Sequence, residues 1–456
     1  MTTHSSFTPR SEGPSHGLIL AGTQSGSGKT AIASLLLAAF AERGIPTQPF
    51  KVGPDFIDPA YHATYATSCC RNLDTWLMGV NEVQEEVRCH GAGKIGLVEG
   101  VMGLFDGGLA DSADGSTLEL AQLLGWPILL ILPSAKAGRS LAATLRGFLE
   151  EAGPGRITGV ILNQVSGDSH RTYLCEALAP LKTPILGALP QLDALHWPER
   201  HLGLQAARES ALPSRKEMAA IAESHLDIGT ILTHLQPSPT SPTPLVAKPI
   251  PHKRVAIARD DAFHFYYASN LDYLRENGLE PVEFSPLHDQ KLPSDISGLI
   301  FGGGFPEIFG AALAENNAMR REVKSVLENG LPCYAECGGL MYLAGEIIDL
   351  TGKHLPMAGL VPGAVTMTRN LQNFGYCLAE TNESEAPYHG HEFHCSRWER
   401  EEECSNRWQV RRRRGGPGRS EGYQAHRLHA SYVHLFWKQS PGLLSHFLSD
   451  AEEARP

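Results

Sequence analysis

Apolar and polar positions along this chain follow two periods in turn. Short runs dense in apolar and β-branched residues begin at residues 17 (GLILAG), 47 (TQPFKVG), 95 (IGLVEG), 127 (PILLILP), 158 (TGVILNQV) and 184 (PILGALP). Most are separated by stretches whose apolar positions recur at helical spacing. Such alternation predicts a parallel sheet covered by helices on both faces. The pattern returns on a smaller scale at 254 (RVAIARD), 280 (EPVEFSP), 298 (GLIFGGG) and 331 (LPCYAEC), with helical stretches such as ASNLDYLRENG between. Separating the two halves is LQPSPTSPTPLVAKPIP, residues 235–251, where Pro alternates with Ser and Thr. Neither helix nor sheet interior accommodates that, and it reads as extended linker. The expectation is two doubly wound α/β domains, residues 17–234 and 253–450, joined by a linker at 235–252 after a loose tail at 1–16.

Composition leaves this picture in place and removes some functions. The 456 residues suffice for two or three cores, with 42% hydrophobic and 20% charged residues. A net charge of −11 argues against a general nucleic-acid or membrane-surface role. No apolar run reaches the length of a membrane span, and the first residues lack the apolar core of a signal peptide. Nine cysteines, scattered and without CxxC pairs, argue against a zinc site and for a reducing cytoplasm, with most read as buried small hydrophobes. The basic run RRRRGGPGR, 411–419, reads as a solvated loop.

Chemistry enters first at GLILAGTQSGSGKT, residues 17–30. A strand, a Gly/Ser turn and a helix opening near Lys29 make a phosphate site, because a helix N-terminus presents free N–H groups and a positive dipole end. Ser25, Gly26, Ser27 and Gly28 are small enough for the backbone to wrap phosphates. Lys29 adds charge at the terminal phosphates, and Thr30 offers a hydroxyl to Mg²⁺. The front departs from the usual pattern, with Thr23 at the first glycine position and Gly22 one residue early. Carboxylates follow the next strands: Asp55 and Asp58 in KVGPDFIDPAYH, Glu99 and Asp106 in LVEGVMGLFDGG. Loops at strand C-termini line the ligand crevice of such folds, and Mg²⁺ takes hard oxygens, so these four are candidates for metal and substrate. Carboxylates beside prolines also cap turns, which is the competing reading.

The second constellation is PCYAECGGLMYL, residues 332–343. A strand running into Glu-Cys-Gly-Gly has the layout of a nucleophile elbow, with Cys337 exposed on a sharp turn. Backbone N–H groups at Gly338 and, from FGGGFPE, at Gly303 and Gly304 could form an oxyanion hole. A thiol nucleophile needs a base, and His391, His394, His426, His429 and His434 are available. ASYVH, 430–434, holds His434 at the end of a short β-like run. GHEFH, 390–394, reads as a strand with both rings on one face. A thioester formed on glutamine would release ammonia, and an ATP half would activate a carboxylate as an acyl phosphate to receive it.

With these segments in hand, the chain resembles the cobyrinate a,c-diamide synthase family of glutamine-dependent amidotransferases. GTQSGSGKT, KVGPDFIDPAYH, RNLDTW, EGVMGLFDG, NQVSGDSH, ERHLGL, IARDDAFHFYY, GGGFPE, ECGGLMYL, GHEFHCS and ASYVHLF carry the resemblance nearly end to end. It implies a P-loop NTPase-like domain similar to dethiobiotin synthetase, followed by a class I glutamine amidotransferase domain. It implies ATP and Mg²⁺, L-glutamine and a tetrapyrrole carboxylate as reactants, and a homodimer as an open possibility. Carried over by motif, Cys337 is the nucleophile and His434 its base. Lys29 and Thr30 serve ATP and Mg²⁺. Asp55, Glu99 and Asp106 serve the metal, the substrate or the acyl phosphate, and ERHLGL lies near nucleotide or substrate. Two departures stand out: Phe436 where the family usually has a second histidine, and Cys395 where an aromatic is common. Sirohaem, sirohydrochlorin or hydrogenobyrinate is the alternative acceptor. A nucleotide-switched partitioning or scaffold protein, which shares this P-loop type, would leave Cys337 and His434 without a task. A biotin-pathway ligase would leave the second half idle.

Overall fold

The computed structural model describes residues 16–108, 112–195, 212–233, 235, 236, 238, 253–381, 386–400, 406–425, 427–440, 442, 447 and 449. The chain divides into two compact units, one running to Thr75 and resuming from Val80 to Pro242, the other taking Trp76–Gly79 and the chain from Thr243. ERHLGL, His426, the N-terminal tail before residue 16 and most of the Pro-rich stretch lie outside the described residues.

In the first unit, seven strands form one sheet: β1 (Gly17–Gly22), β2 (Thr47–Val52), β3 (Arg71–Leu73), β4 (Ile95–Glu99), β5 (Ile128–Pro133), β6 (Ile157–Val165) and β7 (Ile185–Pro190). Their spatial order is β3-β2-β4-β1-β5-β6-β7, and every pairing is parallel. β1, β2 and β4 are buried at every residue, as strands covered on both faces must be. Helix α1 (Lys29–Glu42) is apolar almost all round and packs Leu36 and Phe40 into a core with Leu20, Leu97 and Ile131. β1 lies centrally, with β4 on one side and β5 on the other, which makes the crevice beyond its C-terminus a switch point. The turns after β1, β2 and β4 therefore emerge at one edge of the sheet.

The second unit contains β8 (Lys253–Ala258), β9 (Phe263–Phe265), β10 (Leu279–Phe284), β11 (Ile296–Phe301), β12 (Gly303–Gly304), β13 (Cys333–Glu336), β14 (Ala344–Ile348), β15 (His354–Pro356), β16 (Val361–Met367), β17 (Asn373–Glu380), β18 (Tyr388–His394), β19 (Ser396–Glu399), β20 (Asn406–Arg412), β21 (Arg419–Ala425), β22 (Leu428–Ser431) and β23 (His434–Leu435). A ten-stranded sheet runs β10-β8-β11-β13-β22-β21-β20-β17-β18-β23. Its first five strands are parallel, and the remainder continue it as antiparallel strands. β9 and β12 form a pair, and β15-β14-β16-β19 form a small separate sheet. The ASYVH run divides into β22 and β23, with Tyr432 and Val433 turning between them.

The basic run is a loop only over residues 413–418. Arg411 and Arg412 end β20 and Arg419 opens β21. Arg411 Nε lies 2.7 Å from Glu380 Oε1, and Arg419 pairs with Glu392. Among the described cysteines, Cys70, Cys333, Cys337 and Cys377 are buried, while Cys69 and Cys89 are exposed, so burial accounts for half of them and not most. No described helix is long and apolar enough to cross a membrane.

Candidate active sites

The turn after β1 reverses into α1 through Gly28, whose φ of 91° is a left-handed conformation that a side chain would strain. A Cβ there would also lie 2.2 Å from Asn163 Nδ2, an amide that donates to the Ser27 carbonyl at 2.9 Å and holds the turn closed. Asn163 opens the NQVSGDSH segment, so that motif braces the phosphate loop from β6. Ser25 and Gly26 are exposed at the tip, and Ser27 is buried. Lys29 is buried, and its Nζ donates to the carbonyls of Met102 at 2.6 Å and Gln24 at 3.2 Å. Burial first, then the nearby Lys51 charge, lowers its pKa to about 8.

Thr30 Oγ1 donates to Glu99 Oε1 at 2.9 Å, which joins the start of α1 to the end of β4. Glu99 is 1% exposed, and its two oxygens are held from opposite sides. Lys51 Nζ lies 3.0 Å from Oε1, and His62 Nε2 lies 2.5 Å from Oε2. Lys51 also reaches Asp58 Oδ2 at 2.5 Å. Burial opposes the charge on Lys51, yet Asp58, Glu99 and Asp55 outweigh it and raise its pKa. Burial opposes the charge on Glu99 too, and there Lys51 and His62 prevail and lower it. Asp58 goes the other way: burial and the neighbouring Asp55 and Glu99 push it up. The cluster thus holds an ionised Lys51–Glu99 pair beside an acid that is reluctant to ionise.

Asp55 stands at the rim. Its Oδ1 accepts from the N–H groups of Ile57 and Asp58, at 2.7 and 3.0 Å, and its Oδ2 is 3.9 Å from Lys51 Nζ. Asp106 is exposed, and its Oδ2 accepts from Gly103 N–H at 2.8 Å. Both carboxylates brace turns, and the charge of Asp106 is felt at Lys29. Lys51 and His62 belong to this cluster and were not candidates from sequence. The signal lay in KVGPDFIDPAYH itself, where a lysine inside an otherwise buried strand must have an anionic partner.

In the second unit β13 ends in a sharp elbow. Cys337 has φ 49° and ψ −102°, outside the basins open to most residues, and leads into the helix Gly338–Leu343. Its N–H donates to the Ser431 carbonyl of β22 at 2.6 Å. The thiol is buried; burial, then Glu307, raise its pKa, against the N–H of Gly338. The three glycines expected at the oxyanion hole meet here. A Cβ at Gly338 would come within 3.1 Å of Gly304 N, and one at Gly303 would fall 2.6 Å from Cε1 and 3.3 Å from Nε2 of His434. β12 therefore touches the Cys337–Gly338 elbow on one side and the His434 imidazole on the other.

Of the other described candidates, His429 and His394 are engaged elsewhere, and His391 packs on His434 itself. His429 of β22 stacks on Tyr334 of the neighbouring β13 at 5.1 Å. His394 stacks on Tyr432 at 3.8 Å, and its Nδ1 is 2.8 Å from the Ser396 carbonyl. His391 stacks on His434 at 4.8 Å and meets the Tyr267 hydroxyl at 2.7 Å. Burial, then His434, hold His391 well below its ordinary pKa, so it is neutral. His391 and His394 do not share a face as expected: an offset of three inverts direction in a strand of period two. His434 Nδ1 lies 3.3 Å from Glu336 Oε2.

Two family models match. Residues 18–204 fit the CobQ/CobB/MinD/ParA nucleotide binding domain, and residues 254–442 fit the CobB/CobQ-like glutamine amidotransferase domain. Among curated proteins, the chain is 40% identical to a cobyrinate a,c-diamide synthase of a Synechococcus species, over 96% of this chain and 98% of that one. It is 39% identical to a protein of the same name from a Synechocystis species, over 92% and 90% of the two chains. A third, from Dehalococcoides mccartyi, is 38% identical over 94% and 97%.

Proposed function

This chain belongs to the cobyrinate a,c-diamide synthase family, and on that footing we propose that it is an ATP- and glutamine-dependent ligase that converts the a and c acetate side chains of cobyrinate to amides. Residues 17–234 form the ATP-binding amidoligase domain and residues 253–450 the glutaminase. The observation that carries the reading is the presence in one chain of a Lys29–Thr30–Glu99 phosphate site, with Lys29 and Glu99 buried, and a strained Cys337 elbow bordered by a Gly303–Gly304 strand that lies against His434.

In the first unit, the turn 25–30 wraps the ATP phosphates with its backbone N–H groups. Lys29 leaves its two carbonyl partners for the terminal phosphates, which relieves its repulsion by Lys51. Thr30 and Glu99 present two hard oxygens 2.9 Å apart, a fit for Mg²⁺. Bound there, Mg²⁺ would neutralise phosphate charge as the γ-phosphoryl group moves to the acceptor carboxylate. Lys51 offsets the charge of that carboxylate. Asp55, Asp58 and Asp106 border the acyl phosphate, where an ionised carboxylate can take the proton that ammonia sheds on attack. Phosphate leaves as the amide forms.

In the second unit, Cys337 attacks the side-chain amide of glutamine and His434 manages the protons. The N–H groups of Gly303, Gly304 and Gly338 receive the oxyanion. Free cysteines fit a cytoplasmic setting, and assembly as a homodimer is tested by light scattering. The deciding experiment for the reaction is mass spectrometry of cobyrinate, hydrogenobyrinate, sirohydrochlorin and sirohaem after incubation with ATP and glutamine. Two carboxyl-to-amide conversions on cobyrinate are expected. Conversion of another acid alone reassigns the substrate, and ATP hydrolysis without any amide supports the nucleotide-switch reading.

A further inference from the structure

We propose that Glu336, the residue immediately before the nucleophile, is the positioning carboxylate of His434, completing a Cys337–His434–Glu336 triad. The inference rests on the assignment of Cys337 and His434 made above. Three donors fix this carboxylate within the protein itself. Oε1 accepts from the Tyr334 hydroxyl at 2.7 Å, from Trp437 Nε1–H at 3.2 Å and from Leu435 N–H at 3.3 Å. Two of these donors lie on the segment that carries His434, so the carboxylate is tied to the imidazole's own backbone. That leaves Oε2 turned to His434 Nδ1 at 3.3 Å, with both side chains buried.

An acceptor facing Nδ1 keeps a proton on that nitrogen and leaves Nε2 with its lone pair. Nε2 lies against Gly303 of β12, the strand that also meets the Cys337–Gly338 elbow. The segment after His434 offers no carboxylate of its own, since Phe436 occupies the second position. Titratable groups near the pair among the described residues include His391, which is neutral and stacked on the ring, Tyr267 bonded to His391, Tyr266 near Glu336, and Glu307 and Glu392 near Cys337.

The chemistry balances on these atoms. The Cys337 S–H bond breaks, and its proton passes to His434 Nε2. The thiolate forms a bond to the amide carbon of glutamine. The proton returns to the departing nitrogen, which leaves as ammonia. Water, deprotonated by His434, then cleaves the thioester to give glutamate and restore the thiol. Glu336 touches no substrate atom; it holds the tautomer and faces the imidazolium.

The test is Glu336→Gln in the full-length enzyme. The glutamine amide oxygen can keep the three donors, which turns its NH₂ toward Nδ1 and forces the proton onto Nε2. Glutamine hydrolysis is expected to lose about 10²–10⁴-fold in kcat, with KM within about three-fold, and the deficit to shrink at high pH where hydroxide takes the thiol proton. Ammonia-driven amidation should stay within about two-fold of wild type. A kcat within about three-fold of wild type, while His434→Asn is inactive with glutamine, overturns the role of Glu336 alone. If both variants stay active with glutamine, the underlying Cys337–His434 assignment falls as well. Should Glu336→Gln not fold, nitrogen-15 NMR of histidine-labelled wild type gives the answer, with His434 identified by the signal missing in His434→Asn. An Nδ1–H tautomer supports the proposal and an Nε2–H tautomer overturns it.

Discussion

Lys51 and Glu99 form a buried ion pair, 3.0 Å between Nζ and Oε1, with side chains 3% and 1% exposed. Removing one partner leaves the other charged and desolvated. Lys51→Met is therefore expected to lower stability by about 3–5 kcal/mol, read as a lower unfolding midpoint. Adding Glu99→Gln should recover part of that loss, because the stranded charge is gone. Full stability in the single variant would show that His62 and Thr30 alone keep Glu99 satisfied.

Lys29→Ala is expected to abolish amide formation with either ammonia or glutamine, since both routes need the activated carboxylate. Glutamine hydrolysis itself should persist. Normal ammonia-driven turnover in this variant would remove the phosphate-loop assignment.

The lowered pKa of Lys29, about 8, also predicts a proton linkage. Phosphates favour the protonated amine, so nucleotide binding at pH 8 should take up about half a proton, and affinity should fall above that pH. Calorimetry in buffers of different ionisation enthalpy measures the uptake. Lys29→Arg, always charged, should show none.

Cys337→Ser should end glutamine-dependent amidation and spare the ammonia-dependent reaction at mildly basic pH. A folded variant inactive with both nitrogen sources would contradict the division of labour between the two halves.

His434→Asn should slow labelling of Cys337 by a thiol-directed glutamine analogue at least about ten-fold, with ATP chemistry intact. His429→Asn should label normally, because His429 packs on Tyr334 and Trp408 instead. The reverse outcome would move the base to His429.

Much of this was legible in the sequence where one physical signal dominates. The strands of the first unit announce themselves as apolar runs, and the phosphate loop as a Gly/Ser turn before a lysine. β3 escapes because Arg71–Leu73 is three residues long and has no apolar run. β20 and β21 escape because arginines at their ends resemble solvated loop, although Trp408 and Val410 of β20 are buried. Lys51 was hidden for another reason: its partners Asp58 and Glu99 are 7 and 48 residues away, and only the fold brings them into contact. Glu336 was visible beside Cys337, but its partner His434 is 98 residues downstream.

The burial of Cys337 also decides which thiols general reagents will find. Among the described cysteines, a maleimide or iodoacetamide meets exposed Cys69 first; Cys89 is exposed too, but partial burial and its bond to Glu85 push its thiol up to about 11, and Cys337 is buried as a neutral thiol inside its elbow. Sluggish loss of activity under such reagents would then say little about whether a cysteine does the chemistry. It also makes exposed Cys69 a convenient attachment point for a fluorophore once Cys89 is replaced, with Cys337 left buried and untouched.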